Sequence, residues 1–170
     1  MLRLSLLLVI LCALGTGCTV NEVVVAEETE LLIAESPVDE SRLLDIGIVE
    51  FKPGIDVDNN PRESGVYDAI RLAETKYLAY HLKTTLQGTG HWGAVRLIPS
   101  RQAFTDIVIS GDIRKSDGEF VTLNISVDDS AGRHWFSKAY ETQTGLTSYS
   151  DRRDRRLDPY QKVFNDIAND

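Results

Sequence analysis

The sequence predicts an α+β domain with element order β-α-β-β-β-β-α, in which helices pack on a mixed sheet. Three observations lead to this fold class. One long helical pattern stands between two short apolar runs, three strand-like segments separated by polar turns follow it, and an amphipathic segment closes the chain. A strand-helix-strand unit followed by an antiparallel meander is typical of helices layered on a sheet. We therefore expect one α/β domain over residues 43–170, which is large enough to bury a core.

The first strand is predicted at Leu43–Phe51, because this apolar run ends at Pro53 and Gly54. A polar loop then leads into the clearest helix, which Gly88 and Gly90 are expected to end. The apolar side chains of this helix recur at spacings of three to five residues, at Ile70, Ala73, Leu78, Leu82 and Leu86. A second short strand follows at 94–98 and stops before a proline.

Three further strands are predicted at Thr105–Ile113, Phe120–Val127 and Arg133–Glu141. The middle one alternates apolar and polar side chains cleanly, as a strand with one buried face does. Ser116-Asp117-Gly118 predicts the first connecting hairpin, and the acidic, glycine-containing stretch 128–132 predicts the second. The third strand is less cleanly patterned than the other two.

The last helix is predicted from Val163, Phe164 and Ile167, which share one helical face. The chain stops at Asp170 within this pattern and without a helix-ending residue. We expect either a natural terminus that frays there or a truncated form of a longer protein.

The first 17 residues have the features of an export signal. Arg3 is the positive residue, and Leu4–Leu14 is a nearly unbroken apolar run. The run is shorter than the roughly 20 residues that a bilayer-spanning helix needs. It suits the apolar region of a signal peptide, which has about 7–15 residues.

Small residues stand directly before Cys18, and this arrangement resembles the lipobox of bacterial lipoproteins. The match is good at Thr16, Gly17 and Cys18, and it departs at Gly15, where leucine is usual. The resemblance implies cleavage before Cys18 and attachment of a diacylglycerol and acyl chains such as palmitate. The alternative is an ordinary signal cleaved elsewhere. Thr19, where inner-membrane lipoproteins often carry aspartate, implies sorting to the outer membrane with the domain facing the periplasm.

Residues 18–42 are predicted to form a lipidated acidic tether. Between residues 19 and 40 the charged side chains are all acidic, and such a run repels itself and stays extended. Two apolar islands, at 23–25 and 31–33, interrupt it and are expected either to dock as a short strand, to bind a partner, or to remain part of a partly ordered tether.

Net charge excludes one class of partner. The formal net charge is −8, and nucleic-acid binding requires a basic face, so we expect no nucleic-acid role. The only cysteines, Cys12 and Cys18, both belong to the signal region, so no structural disulfide is expected.

The sequence offers no recognisable chemistry. Neither a paired-histidine metal motif nor a nucleophile-elbow or phosphate-loop motif occurs, so we expect no metal, no cofactor and no enzyme. His91 and Trp92, in a glycine-rich turn after the long helix, are candidate partner contacts because aromatic side chains concentrate at binding hot spots. The alternative is that Trp92 caps the core.

Three segments carry a resemblance to a group of bacterial envelope domains: the first strand LLDIGIVEF, the helix end LKTTLQGTGHWGAV, and the block from Thr105 to Trp135. The chain resembles uncharacterised proteobacterial outer-membrane lipoproteins with a small α/β domain. Such a domain occurs in the curli-secretion lipoprotein, in activator lipoproteins of peptidoglycan synthases and in the amino-terminal domain of the Tol-system propeller protein. The resemblance spans roughly residues 43–170 and implies a non-enzymatic, partner-binding role at the outer membrane. It transfers no catalytic residue.

Three functions therefore stay open from sequence. The first is a lipid-anchored envelope protein that binds another envelope component as a scaffold or assembly factor. The second is a periplasmic enzyme with an unrecognised site, and the third is a subunit of a secretion or flagellar outer-membrane assembly. The sequence leaves the oligomeric state open.

Replacing Cys18 with alanine tests the anchor. Because the resemblance implies a diacylglycerol on the Cys18 thiol, the Cys18→Ala protein should move from the membrane pellet to the soluble envelope fraction. Cell fractionation followed by immunoblotting measures this, with Cys12→Ala as the matched control. Continued membrane attachment of Cys18→Ala would contradict the prediction.

Overall fold

The computed structural model describes residues 29–54, 67–101, 104–144 and 158–170. The predicted signal, Cys18 and the first part of the predicted tether lie outside the described residues. The elements are a short 3₁₀ turn at Glu40–Arg42, then β1 (Ile46–Val49), α1 (Asp68–Thr89), β2 (Val95–Ile98), β3 (Ile107–Ser116), β4 (Phe120–Asp129), β5 (His134–Gln143) and α2 (Gln161–Asn169). This order confirms the predicted α+β class.

The five strands form one mixed sheet in the order β2-β1-β3-β4-β5. β1 pairs in parallel with β2 on one side and with β3 on the other, whereas β3, β4 and β5 form an antiparallel meander. The parallel β1–β2 pair requires a crossover connection, and α1 provides it. β2 and β5 are therefore the edge strands of the sheet.

The core lies between one face of the sheet and the two helices. Side chains at alternate positions of β3 and β4 point into it, and the helices close it with Leu82, Leu86, Val163 and Phe164. The alternation predicted for β4 is confirmed: Val121, Leu123, Ile125 and Val127 are buried, and the residues between them are not.

The predicted apolar stripe of the long helix is wrong in its first half. Ile70 is 57% exposed and Ala73 is also exposed, and Arg71 and Thr75 are buried in their place. Arg71 donates to the carbonyl oxygens of Ser116 (2.9 Å) and Pro53 (3.4 Å), and Thr75 donates to Glu50 (2.8 Å). Because these buried polar groups have hydrogen-bond partners, burying them costs little free energy. The spacing of the apolar residues alone therefore predicted the wrong buried face for the first half of α1.

Element ends differ from the predicted ends for local reasons. Gly88 lies inside α1, and Gly90, with φ of 71°, adopts the left-handed conformation that closes the helix. Both predicted hairpins are present, and Gly118 and Gly132 take positive φ there. β3 runs on to Ser116 and β5 to Gln143, because antiparallel pairing with β4 continues beyond the apolar runs.

The end of the predicted tether is held by the helices. The Leu32 N–H donates to the side-chain oxygen of Asn169 (2.9 Å), and the Ala34 N–H donates to the carbonyl oxygen of Thr89 (2.8 Å). Asn165 donates in turn to the carbonyl oxygen of Thr29 (2.7 Å). Residues 29–34 thus lie against the helical side of the domain.

Two alanine substitutions in α1 test the corrected helix orientation. Leu82 is fully buried, so Leu82→Ala should lower the free energy of unfolding by about 2–5 kcal/mol. Ile70→Ala should change it by no more than about 0.5 kcal/mol, because Ile70 is an exposed side chain. Urea denaturation followed by circular dichroism measures both, and a large loss at Ile70 would contradict the orientation.

Candidate functional site

Polar side chains occupy the sheet face that points away from the helices. No helix of the described residues covers this face, which we call the open face. Small hydroxyl side chains align across the three antiparallel strands, because Ser110 pairs with Ser126 and Ser126 pairs with Ser137. Directly paired residues of neighbouring strands point to the same side of a sheet. The three serines therefore form one row on the open face.

A chain of hydrogen bonds runs beside this row. Asp128 Oδ1 lies 2.9 Å from His134 Nδ1, and His134 Nε2 lies 3.1 Å from Ser137 Oγ. When Nδ1 carries the proton that Asp128 accepts, Nε2 has its lone pair free to accept the proton of the Ser137 hydroxyl. Carboxylate, imidazole and hydroxyl are thus connected in the order that activates a serine.

A β-bulge makes this contact possible. Val127 pairs with Phe136, but Asp128 pairs with His134, so Trp135 is an extra residue in β5. In a regular strand, residues three apart point to opposite faces. The extra residue brings His134 onto the same face as Ser137. Bulges are over-represented next to active sites because they redirect a side chain in this way.

Arg101 fixes the other end of the hydrogen-bonded chain. Its guanidinium binds Asp128 Oδ2 at 2.8 Å and also donates to the Ser110 hydroxyl. One Asp128 oxygen thus accepts from Arg101 while the other accepts from His134. The Asp128 side chain is 21% exposed, whereas the Arg101 and His134 side chains are about half exposed. The carboxylate is the most enclosed and most constrained member of the group.

An open cleft of about 780 Å³ adjoins this group through Asp128. Its walls include four further acidic or aromatic side chains, Asp45, Asp106, Asp129 and the fully exposed Phe104. The carboxylates of the cleft already have partners: Asp106 accepts from the Asp45 N–H (2.8 Å), and Asp45 accepts from the Ala94 N–H (2.7 Å). Across the described ranges, no group of three or more His, Cys, Asp or Glu side chains is placed to hold a metal ion.

Hydrogen bonds also shift the pKa of two carboxyl groups at this end of the sheet. The Ala94 N–H, and after it the Arg96 guanidinium, hold the pKa of Asp45 below its ordinary value. The Arg133 N–H does the same for Asp129, together with the indole N–H of Trp135. Asp129 thereby closes the β4–β5 turn and fixes the neighbouring bulge, as the predicted turn chemistry requires.

A second polar cluster joins the two helices. The Tyr77 hydroxyl donates to Asp158, and His81 Nε2 lies 3.5 Å from the same carboxylate oxygen. Burial, reinforced by Asp158, raises the pKa of Tyr77. The His81 ring also stacks on Phe164, with centroids 5.4 Å apart. This cluster packs α1 against the start of α2 and offers no nucleophile, so its role is to hold the helices together.

The sequence-predicted site residues lie elsewhere. Cys18 lies outside the described residues. His91 is exposed in the turn after α1, and Trp92 is partly buried and packs against the core. Neither residue contributes to the open face, and their role as partner contacts stays a prediction. No helix in the described part of the chain is long and apolar enough to cross a membrane.

Sequence reasoning missed Asp128, His134 and Ser137. The stretch with Asp128 was interpreted as a turn, and in a regular strand His134 and Ser137, three residues apart, would point to opposite faces. The one available signal was the imperfect alternation of the fifth strand, which is where the bulge lies. An irregular alternation next to a tight turn was therefore the only hint in the sequence that a β-bulge turns one side chain to the other face.

Comparisons with known proteins give only distant similarity. The sequence matches no protein-family model and no curated protein. Among solved structures, a PelC dodecamer from Paraburkholderia phytofirmans is 15% identical, with a TM-score of 0.42 over 85% of this chain and 93% of that one. Protein XCC0632 from Xanthomonas campestris, of the family DUF330, is 15% identical, with a TM-score of 0.45 over 84% and 85% of the two chains. Similarity at this level assigns no function to the chain.

Because the pKa of Asp45 is lowered in the folded protein, the free energy of unfolding depends on pH. Its folded-state pKa lies below the ordinary value of 3.8, so its contribution is present above that value and is lost as the pH falls through the folded pKa. Asp45→Asn should therefore be less stable than the wild type at neutral pH, and the difference should shrink from about pH 5 downwards. Urea denaturation at several pH values measures this. Glu35→Gln makes the same chemical change at an exposed position, and an equal effect there would contradict the assignment.

Proposed function

We propose that this protein is a lipid-anchored component of the bacterial cell envelope whose α/β domain binds another envelope protein as a scaffold or assembly factor. In this proposal Cys18 carries the lipid, the outer membrane holds it, and the domain faces the periplasm. The export signal, the lipobox-like Cys18 and the acidic residues after it support the anchored location. The net charge of −8 argues against a nucleic-acid partner.

The observation that carries the binding role is an apolar, aromatic surface on α1. Ile70, Ala73, Tyr77 and Tyr80 follow one another at spacings of three, four and three residues, so they share one side of the helix. This side, the outer face of α1, points away from the core. Ile70 and Tyr80 are 57% and 54% exposed, whereas Tyr77 is 46% exposed and its hydroxyl is held by Asp158 in the cluster that joins the helices.

The chemistry of this face suits a protein partner. Tyrosine is enriched at the centres of protein interfaces because it offers a large apolar ring and a polar hydroxyl. Contiguous exposed apolar side chains on a helix are also the usual anchors of a helix-mediated contact. Lys83 lies 5.9 Å from the Tyr80 ring, which places a positive charge at the rim. We therefore expect a partner whose contact region is apolar, with acidic groups at its edge.

The anchor limits where the partner can be. Since residues 29–34 lie against the helices, the chain between Cys18 and Thr29 is what joins the lipid to the domain in this proposal. Fully extended, that length spans at most about 40 Å. The partner must therefore present its contact region within the periplasmic layer next to the membrane.

Alanine substitution on the outer face of α1 tests the binding role. Tyr80→Ala combined with Ile70→Ala should weaken the complex by about 30-fold or more, because exposed aromatic anchors supply most of the binding energy at an interface. Leu97→Ala is the matched control, since Leu97 is an apolar side chain of similar exposure, 46%, on the edge strand β2.

The measurement uses a photo-crosslinking amino acid at position 80 of the full-length, lipidated protein in its own cells. The same envelope protein should be crosslinked there and should co-purify with the wild type and with Leu97→Ala. The double alanine variant should lose it while keeping its circular dichroism spectrum. Equal co-purification with all three proteins would rule out the outer face of α1 as the binding surface.

A further inference from the structure

We propose that Ser137 is a nucleophile, activated by His134, that accepts the acyl group of short-chain, uncharged carboxylic esters. The proposal rests on the hydrogen-bonded order Asp128, His134, Ser137 on the open face and not on partner binding by α1. It assigns to the domain a reaction that the sequence did not predict.

The geometry meets the first requirement of nucleophilic catalysis. Ser137 Oγ is 3.1 Å from His134 Nε2, and His134 Nδ1 is 2.9 Å from Asp128, both within hydrogen-bonding reach. Ser137 is exposed, so an ester can reach its hydroxyl. Asp128 acts as a positioning residue, because it holds the imidazole tautomer whose Nε2 accepts a proton.

Ser126 supplies a donor for the developing negative charge. It pairs directly with Ser137 across β4 and β5, so the two Cβ atoms are about 4.5–5.5 Å apart. A carbonyl group bound at Ser137 therefore lies next to the Ser126 hydroxyl, which can donate to the oxyanion. Hydroxyl side chains serve this purpose in other acyl-transfer sites.

The reaction proceeds in two balanced steps. The Ser137 oxygen attacks the carbonyl carbon while its proton passes to His134 Nε2. The bond to the leaving alcohol then breaks as that alcohol takes the proton from His134. Water next attacks the acyl-serine and gives a proton to His134, which returns it to the Ser137 oxygen as the acid leaves. One ester and one water give one acid and one alcohol.

The surroundings of Ser137 define the substrate class. Its neighbours Ser126, Asn124 and Ala139 on the open face are small or polar, so none of these three offers an apolar wall for a long acyl chain. Asp112, Asp128 and Glu141 share this face, and Lys52 and Arg101 are paired with the first two, so neither of these two cations is free to hold an anionic ester. An uncharged ester with a short acyl group fits both conditions.

Covalent labelling tests the nucleophile directly. The full-length protein is treated with a fluorophosphonate probe and digested with trypsin. Cleavage after Arg133 and Lys138 releases the peptide HWFSK, in which Ser137 is the only hydroxyl side chain. Mass spectrometry should find the probe on this peptide. His134→Ala should slow labelling by about 100-fold, and added imidazole should restore part of it, because a positioned general base contributes at least that factor.

Hydrolysis of 4-nitrophenyl acetate provides the second measurement. Ser137→Ala should lose the activity, and the wild type should cleave the acetate faster than the octanoate ester. Asp128→Asn should be slower than the wild type, with partial recovery in Asp128→Glu, which keeps the carboxylate. Ser41→Ala is the matched control, because Ser41 is an exposed serine whose hydroxyl contacts Asp39 and no histidine. It should behave as the wild type.

The outcomes separate this proposal from the proposed function. Absence of the probe on HWFSK, or equal labelling of Ser137 in the His134→Ala protein, would overturn the nucleophile. An acetate hydrolysis rate that survives Ser137→Ala would do the same. Neither result bears on crosslinking at position 80, since α1 and Ser137 lie on opposite sides of the sheet.

Discussion

The helices of the described residues cover one face of the sheet and leave the other open, and most other features of the domain follow from this asymmetry. In β4 the buried side chains from Val121 to Val127 fill the space beneath the helices, while the residues between them point outwards. Because the side-chain period of a strand is two, a shift of one residue in register would place every apolar side chain on the wrong side. The pairing of β4 with both neighbours is therefore strongly specified, and that same register aligns Ser110, Ser126 and Ser137 on the open face.

The pairing of β4 with its neighbours is interrupted at two places, at Arg114 in β3 and at the bulge at Trp135 in β5. Pairing of β4 and β5 is regular up to Val127 and Phe136, and the extra residue falls between that pair and the turn closed by Asp129. The Asp129 carboxylate accepts hydrogen bonds from the Ala131 and Arg133 N–H groups, so the turn that begins the irregularity is itself constrained. The contact between His134 and Ser137 thus depends on a local backbone feature that a rigid turn maintains, rather than on the packing of the core.

The sequence predicted the parts of the fold that depend on periodicity and on turn residues. The alternation of β4, the hairpin at Gly118 and the amphipathic face of α2 were each visible as local patterns. The buried face of the first half of α1 was not visible in this way. Arg71 and Thr75 are buried there, and they donate to Ser116 and Glu50, which are distant in the sequence, so a local pattern cannot show the contacts. The Asp128–His134–Ser137 group was missed for a related reason. Its residues come from two strands and share a face only because of an inserted residue, and a bulge has no dependable signature in a single sequence.

The outer face of α1 and the open face that carries Ser137 lie on opposite sides of the domain. This separation limits how a ligand on one face can affect the other. The outer face of α1 and the segment 29–34 belong to the helical side, where the helices also hold the chain that leads towards the predicted anchor. Ser137 belongs to the open face, with the full thickness of the sheet and its core in between. A partner bound to α1 therefore leaves the open face accessible. If the reactivity of Ser137 depended on that partner, the effect would have to reach β5. One connection between the helices and β5 is Asp170, which accepts hydrogen bonds from Lys138 and from Tyr140 (2.7 Å). Asp170 thereby links the end of α2 to β5, the strand that carries His134 and Ser137.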